Sequence, residues 1–178
     1  MPPLLDHEAL ADRLIVGDNG NTAEKGIALE SVVTETFCKM EGVGIIRVNA
    51  IDDAGSSEID ILLYNLRHPQ GLPFLSDNIM IECKNWRAPV GAAVVRVFSS
   101  KLHACRLDFG ILVAANGVTG DEQDRTAAFA HIRSEFDRTG LKILIVTRAE
   151  LEALRETDDL ALLLRMKFGA CIMGLAQI

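Results

Sequence analysis

The chain has 178 residues, of which 49% are apolar and 24% are charged, so a globally disordered protein is excluded and one globular domain with its own core is expected. No uncharged stretch reaches the roughly 18–20 apolar residues that cross a bilayer, and the N-terminus has neither the basic flank nor the apolar segment of a secretory signal. The four cysteines are scattered without a CxxC pair, which argues against a disulfide scaffold or a zinc ribbon and favours the cytoplasm.

The net charge of −7 limits the ways in which a nucleic acid could bind. Residues 1–90 carry 14 acidic against 7 basic side chains, whereas residues 91–178 carry equal numbers. A protein that holds phosphate groups through bulk electrostatics is usually basic. A nucleic acid would therefore have to bind through a local group of residues, and acidic clusters could themselves bind a cation.

Two helical segments are predicted first. Residues 1–20 are expected to form an N-terminal extension with a short amphipathic stretch. Asn21 and Glu24 have the spacing of a capping box and predict the start of a helix with the sequence TAEKGIALESVVTETFCKM. Its apolar residues recur every three or four positions, and Gly42 is a natural terminator.

Three strand-like runs follow, GIIRVNAI, SEIDILLY and DNIMIECKNW, and the turn signals between them favour an antiparallel meander. Residues Gly91–Arg106 then predict a helix with an apolar inward face. The inward residues are Val94, Val95, Phe98, Leu102 and Cys105.

Two continuous apolar runs in the second half, FGILVAAN and LKILIVT, are typical of strands buried on both faces. A helix over Glu122–Arg138 is predicted between them, and Thr147 with Glu150 forms a capping box for a short helix. This order predicts a single α/β domain over residues 1–178, with an α-β-β-β-α-β core and a mixed central sheet flanked by helices. The apolar segment 158–178 would either complete the core or form a subunit interface.

Two neighbouring strands each place charges inside an apolar run. Because side chains alternate along a strand, Glu82 and Lys84 project from one face, about 7 Å apart. Asp60 interrupts the preceding strand in the same way. Two carboxylates close together take up a proton or enclose a cation, and Mg²⁺ with several waters is a common solution. The backbone carbonyl of Cys83 would lie between the two side chains and could add a ligand.

Lys84 and Glu30 complete this candidate set. Lys84 would place a positive charge beside the metal, where it could orient a water or stabilise a negatively charged transition state. Glu30 lies at the margin of the apolar stripe of its helix, from which a carboxylate can reach the sheet edge. Each feature alone has an ordinary alternative, because a Glu-x-Lys pair is commonly a surface ion pair and an acid at a helix margin is commonly solvated.

Taken in order, GIALES, SEIDILL and IECKNW resemble the motifs of the PD-(D/E)xK nuclease superfamily, in particular the Mrr-like restriction endonucleases and their Holliday-junction-resolvase relatives. The resemblance implies a restriction-endonuclease-like fold and a Mg²⁺-dependent deoxyribonuclease, with Mn²⁺ as a substitute. Carried over by motif, the catalytic residues are Glu30, Asp60, Glu82 and Lys84. The implied metal ligands are Asp60, Glu82, the Cys83 carbonyl and Glu30, the last directly or through water.

The sequence departs from the family pattern at two points. Ile59 stands where the family name has proline, and the helix after Lys84 carries Arg96 but lacks the glutamine of many Mrr-like members. DNA contacts are predicted at Arg87, Arg96 and Trp86, although a solvated surface or a packing role explains these residues equally well. The four histidines show no ligand spacing and are given no catalytic role.

Three functions remain open at this stage. The first is a metal-dependent DNA endonuclease, expected to be a homodimer, with a partner protein as a further source of specificity. The second is a catalytically silent module of the same fold that docks DNA or a protein partner, which the acidic balance favours. The third is an α/β domain without a nucleic-acid role, whose charges form ordinary ion pairs. The complete set of Glu30, Asp60, Glu82 and Lys84 favours the first.

Overall fold

A computed structural model describes residues 2–51, 58–119, 128–175 and 177. Within these residues, a five-stranded sheet lies between two layers of helices. The elements in chain order are α1 (His7–Asp18), α2 (Thr22–Cys38), β1 (Val43–Ile51), β2 (Glu58–Asn65), β3 (Asn78–Lys84), α3 (Ala92–Ala104), β4 (Phe109–Ala114), α4 (Ala128–Thr139), β5 (Lys142–Val146), α5 (Arg148–Ala153) and α6 (Thr157–Met173).

The strands lie side by side in the order β1-β2-β3-β4-β5. β1 and β2 pair antiparallel, as do β2 and β3, whereas β4 pairs parallel to both β3 and β5. The predicted meander and the predicted parallel strands are therefore confirmed. The α/β class with a mixed central sheet is confirmed as well, and it is consistent with a restriction-endonuclease-like fold.

The sheet is covered on both faces. One face packs against α1, α2, α5 and α6, and the other packs against α3 and α4. Alternate residues of β3 belong to these two cores, since Ile79, Ile81 and Cys83 face the first and Met80 faces the second. All six residues of β4 are buried, as its continuous apolar sequence predicts.

Local sequence signals determine where two of the helices begin. Both predicted capping boxes are present, Asn21 with Glu24 at α2 and Thr147 with Glu150 at α5. Gly42 has the positive φ expected of a terminating residue, at +78°, but α2 ends at Cys38 and Gly42 instead forms the turn into β1.

The prediction that Cys105 points inward is wrong. α3 ends at Ala104, so Cys105 leaves the helical period and is exposed. The helix predicted over Glu122–Arg138 is observed from Ala128, and its first six residues lie outside the described part of the chain.

The C-terminal segment, left unassigned from its sequence, contains most of α6. Leu160, Leu164 and Cys171 join the core, whereas Leu162 and Met166 are exposed. The described helices include none that is both long and apolar enough for a membrane span.

The close approach of α3 to the sheet depends on Gly110 in β4. A Cβ at this position would lie 2.8 Å from Leu102 Cδ1 and 2.8 Å from Phe98 Cζ, and both of these side chains are fully buried. We expect Gly110→Ala to lower the free energy of unfolding by about 1–3 kcal/mol, because the packed side chains cannot move aside. Urea unfolding followed by circular dichroism measures the change.

Gly169→Ala is the matched control for this prediction. Gly169 lies in α6 with no atom within 4 Å of the added Cβ, so alanine should raise the free energy of unfolding by about 0.5–1 kcal/mol. A Gly110→Ala variant as stable as the parent would show that α3 can shift without cost.

Candidate functional site

Asp60 and Glu82 lie where β2 and β3 stop pairing. The antiparallel register ends at Ile61 opposite Ile81, so Asp60 and Glu82 follow one position further out on their strands. At this point the Asp60 side chain takes the place of a backbone hydrogen bond between the two strands, because its Oδ2 accepts a hydrogen bond from the Cys83 N–H at 2.7 Å. Asp60 is 7% exposed and Glu82 is 5% exposed, so two carboxylates are held in a largely buried position.

Lys84 lies between these two carboxylates. Its Nζ is 2.7 Å from Glu82 Oε1 and 3.9 Å from Asp60 Oδ2. The structure thus brings together three of the four predicted catalytic residues. The Glu82–Lys84 contact follows directly from the two-residue spacing on one strand face.

A further lysine, which the sequence analysis missed, completes this cluster. Lys101 of α3 places its Nζ 2.8 Å from Glu82 Oε2 and 2.6 Å from the backbone carbonyl oxygen of Glu58. Its position in the sequence could have identified it. Lys101 follows the buried Phe98 by three positions and so lies at the margin of the sheet-facing side of α3. A lysine at such a margin is close enough to the sheet to meet a charge there.

Glu30 approaches the same cluster from α2. It is half-buried, and its pKa is influenced by Asp60, by Lys84 and by the side chain of Asn49, a β1 residue with φ of +50°. Among the described residues, no three His, Cys, Asp or Glu side chains are arranged to hold a metal ion. The role of Glu30 as a metal ligand therefore stays a prediction.

Burial and mutual repulsion disfavour the charged forms of the acids. Burial raises the pKa of Asp60, and the negative charge of Glu82 raises it further, against the opposing effects of the Cys83 N–H and of Lys84. Burial also raises the pKa of Glu30, which the hydrogen bond from Asn49 only partly offsets. Burial is thus the main cause of both pKa shifts, and repulsion between the carboxylates adds to it.

The environment of Lys84 favours its charged form. Burial alone would lower the pKa of Lys84, but the hydrogen bond from Lys84 to Glu82 and the charges of Glu82 and Asp60 raise it above the ordinary value. Lys84 is therefore an ammonium group at neutral pH. It can donate hydrogen bonds and supply positive charge, but it is not arranged to abstract a proton.

The carboxylates fit a hydrated divalent cation. Asp60 Oδ1 makes no hydrogen bond to the described residues, so this oxygen could ligate a metal while Oδ2 holds the Cys83 N–H. Each oxygen of Glu82 accepts from one lysine and keeps a second lone pair. Two carboxylates with water in the remaining positions is a usual arrangement for Mg²⁺.

The residues after β3 are tied to neighbouring elements. Asn85 Nδ2 donates to the Lys25 carbonyl of α2 at 2.9 Å, and Asn116 Nδ2 donates to the Trp86 carbonyl at 2.6 Å. Trp86, with 44% of its surface exposed, and the exposed Arg87 directly follow this held strand end. The backbone at Trp86 is therefore held in place just after Lys84.

Arg96 lies elsewhere on α3. It is five positions from Lys101, which corresponds to about 140° around a helix. Ser99, three positions after Arg96 on α3, lies 3.4 Å from His131 Nε2 of α4, so Arg96 lies toward the side of α3 that faces α4. DNA contacts of Arg87, Arg96 and Trp86 all stay predictions, and of the three only Trp86 and Arg87 follow directly on the strand end that carries Lys84.

The comparisons agree with this geometry. The family model for Mrr-type restriction endonuclease catalytic domains matches residues 23–154. The matched region contains all five strands and all four predicted catalytic residues. No curated protein and no solved structure gives a significant match to the chain.

The raised pKa of Asp60 has a measurable consequence for stability without metal. The folded protein binds this proton more tightly than the unfolded chain, so the stabilising contribution is complete below the unfolded pKa of about 3.9 and is lost as pH rises through the folded-state pKa. Asparagine does not titrate, so the Asp60→Asn variant does not lose stability at this position as the pH rises. In urea unfolding with EDTA, we expect the stability of the variant relative to the parent to increase from about pH 4 to pH 7.

Asp12→Asn, at an exposed position of α1, is the control for loss of an aspartate charge. A relative stability of Asp60→Asn that falls as pH rises would contradict the assigned direction of the pKa shift.

Proposed function

The chain belongs to the Mrr-type restriction endonuclease family, and on this premise we propose that it is a divalent-metal-dependent DNA endonuclease that hydrolyses phosphodiester bonds. The observation that carries the proposal is the meeting of Asp60, Glu82 and Lys84 at the ends of β2 and β3. Family membership supports a nuclease, and the buried carboxylates support the metal dependence.

Asp60 and Glu82 would hold a Mg²⁺ ion, for which Mn²⁺ could substitute. The Cys83 carbonyl and Glu30, the latter directly or through water, would complete the ligands. When bound, such an ion stabilises developing negative charge on the phosphate and makes a nucleophilic water easier to deprotonate. The hydrogen bond from the Cys83 N–H fixes the Asp60 carboxylate, so that its other oxygen keeps a constant direction.

Lys84 would act as a donor and a fixed positive charge. Glu82 holds its Nζ at 2.7 Å, which leaves further ammonium protons for the attacking water or for a phosphate oxygen. Preorganised charge of this kind stabilises a transition state without reorganisation at the moment of reaction. The nucleophilic water would then add to phosphorus in line with the departing ester oxygen.

DNA would bind locally rather than through the overall charge. Trp86 and Arg87 extend from the strand end that carries Lys84, where a base or a phosphate group could meet them. A homodimer would place two such sites on two DNA strands, and a partner protein could add specificity. The exposed apolar residues Leu162 and Met166 of α6 make this helix the candidate dimer interface.

The alternative is a catalytically silent module of the same fold that docks DNA or a protein partner. The net charge of −7 supports it, since a nuclease without a broad basic surface must bind DNA weakly or with help. DNA binding that weakens with salt, without cleavage at any metal concentration, would favour this alternative.

Cleavage of supercoiled plasmid tests the proposal. We expect nicking with Mg²⁺ or Mn²⁺ and none with EDTA, since the carboxylates would then lack their ion. Asp60→Asn, Glu82→Gln and Lys84→Met should each lower the nicking rate by about 10²-fold or more, because each removes a metal ligand or the fixed charge. Gel quantification of nicked and linear products gives the rates.

Two exposed positions away from the cluster serve as controls. Asp12→Asn and Lys39→Met make the same chemical changes and should leave the rate within about twofold of the parent. If the three site variants cut DNA as fast as these controls, the assigned residues do not form the active site.

A further inference from the structure

We propose that Lys101 occupies the place of a second divalent cation, so that this site binds a single metal ion. The inference rests on the proposed function, because it concerns the metal of that site. It assigns a specific part in metal binding to a residue on α3, outside the strand and helix motifs.

The position of Lys101 is fixed from both sides. Its Nζ donates to Glu82 Oε2 at 2.8 Å and to the Glu58 carbonyl oxygen at 2.6 Å. The side chain is only 13% exposed, and the neighbouring Leu102 is fully buried against the sheet. Displacing the ammonium group would break two short hydrogen bonds in a partly desolvated place, and such charge-assisted bonds are among the stronger ones.

The hydrogen-bond partners of the Glu82 carboxylate favour the binding of one metal ion rather than two. In two-metal nuclease sites the ions lie about 3.5–4 Å apart, close enough for one carboxylate to contact both. Here the two oxygens of Glu82 meet Lys84 and Lys101 instead. The two contacts differ, because the ammonium group on Oε2 is also held by the Glu58 carbonyl oxygen at 2.6 Å and so keeps a second ion from this oxygen. Asp60 Oδ1 accepts no hydrogen bond from the described residues, so this oxygen is left to ligate a single ion.

The formal charges of the site also favour one bound metal ion. The buried and half-buried charged groups Glu30, Asp60, Glu82, Lys84 and Lys101 carry one net negative charge when all are ionised, whereas the nearby Glu58 carboxylate is exposed to solvent. One divalent cation and one phosphodiester bring this total to zero. A second divalent cation would leave two excess positive charges in a partly buried site, which is costly.

A purely structural role is the competing explanation, in which Lys101 only pairs with Glu82 to hold α3 against the sheet. The two explanations differ in what they change. Loss of a structural ion pair alters stability but leaves the number of bound ions the same. Loss of a cation substitute opens a binding place for a second ion.

Binding of Mn²⁺ to the full-length chain decides between them. Free Mn²⁺ measured by electron paramagnetic resonance gives the number bound, and the ions lost in Asp60→Asn count those that belong to the site. We expect one such ion in the parent and two in Lys101→Met. The dependence of plasmid nicking on Mg²⁺ concentration should steepen in parallel, from a Hill coefficient of about 1 to about 2.

Three further variants make the test specific. Lys101→Arg keeps the charge and should retain one ion, whereas Lys101→Gln should bind two, as Lys101→Met does. Lys39→Met removes an exposed lysine away from the site and should retain one ion. Circular dichroism and thermal unfolding confirm that each variant is folded. The ion count of the parent tests the inference even if the neutral variants fail to fold.

The inference is overturned if the parent binds two site ions, or if folded Lys101→Met and Lys101→Gln still bind one. Either result with intact cleavage leaves the proposed nuclease function standing. One ion in the parent and two in the neutral variants, without cleavage of any DNA, would instead support the inference and contradict the proposed function. Absence of any Asp60-dependent ion would overturn both.

Discussion

The organisation of the site depends on how the buried carboxylate of Glu82 is neutralised. A carboxylate that is 5% exposed inside an apolar strand needs compensating charge, and two lysines from different elements supply it. Lys84 comes from the same strand and Lys101 from α3, so the ion cluster also fixes where α3 lies on the sheet. Replacing buried ion pairs with apolar residues is often neutral or stabilising, so stability alone does not explain this cluster. The proposed part of Glu82 in metal binding would give a reason for keeping the cluster.

The two lysines and the uncompensated acids together explain how an acidic chain can have a site suited to phosphate. Three acids, Glu30, Asp60 and Glu82, meet two lysines here, so one formal negative charge remains when all of them are ionised. A cation relieves that charge and at the same time creates a positive place for a phosphate group. The overall charge of the chain therefore says little about the charge that a substrate meets at this point.

Much of this arrangement follows from sequence patterns of short range. The alternation of a strand placed Glu82 and Lys84 together, continuous apolar runs identified β4 and β5, and capping residues fixed the starts of α2 and α5. Lys101 could not be found in this way, because its contact with Glu82 joins a helix to a strand 19 positions away and requires the crossing of α3 over the sheet. Asn49 was missed for a similar reason, since its interaction with Glu30 joins β1 to α2 and no local motif marks it.

The sandwich of two helical layers constrains the direction from which a substrate can come. One face of β3 is covered by α2 and the other by α3, so the described part of the chain leaves the carboxyl end of the strand as the open approach to Lys84. Just beyond this end, the side-chain amides of Asn85 and Asn116 donate hydrogen bonds to the carbonyl oxygens of Lys25 and Trp86 and so hold the chain in place. A polymer that reaches Lys84 from this end would present one linkage of its backbone to the carboxylates at a time.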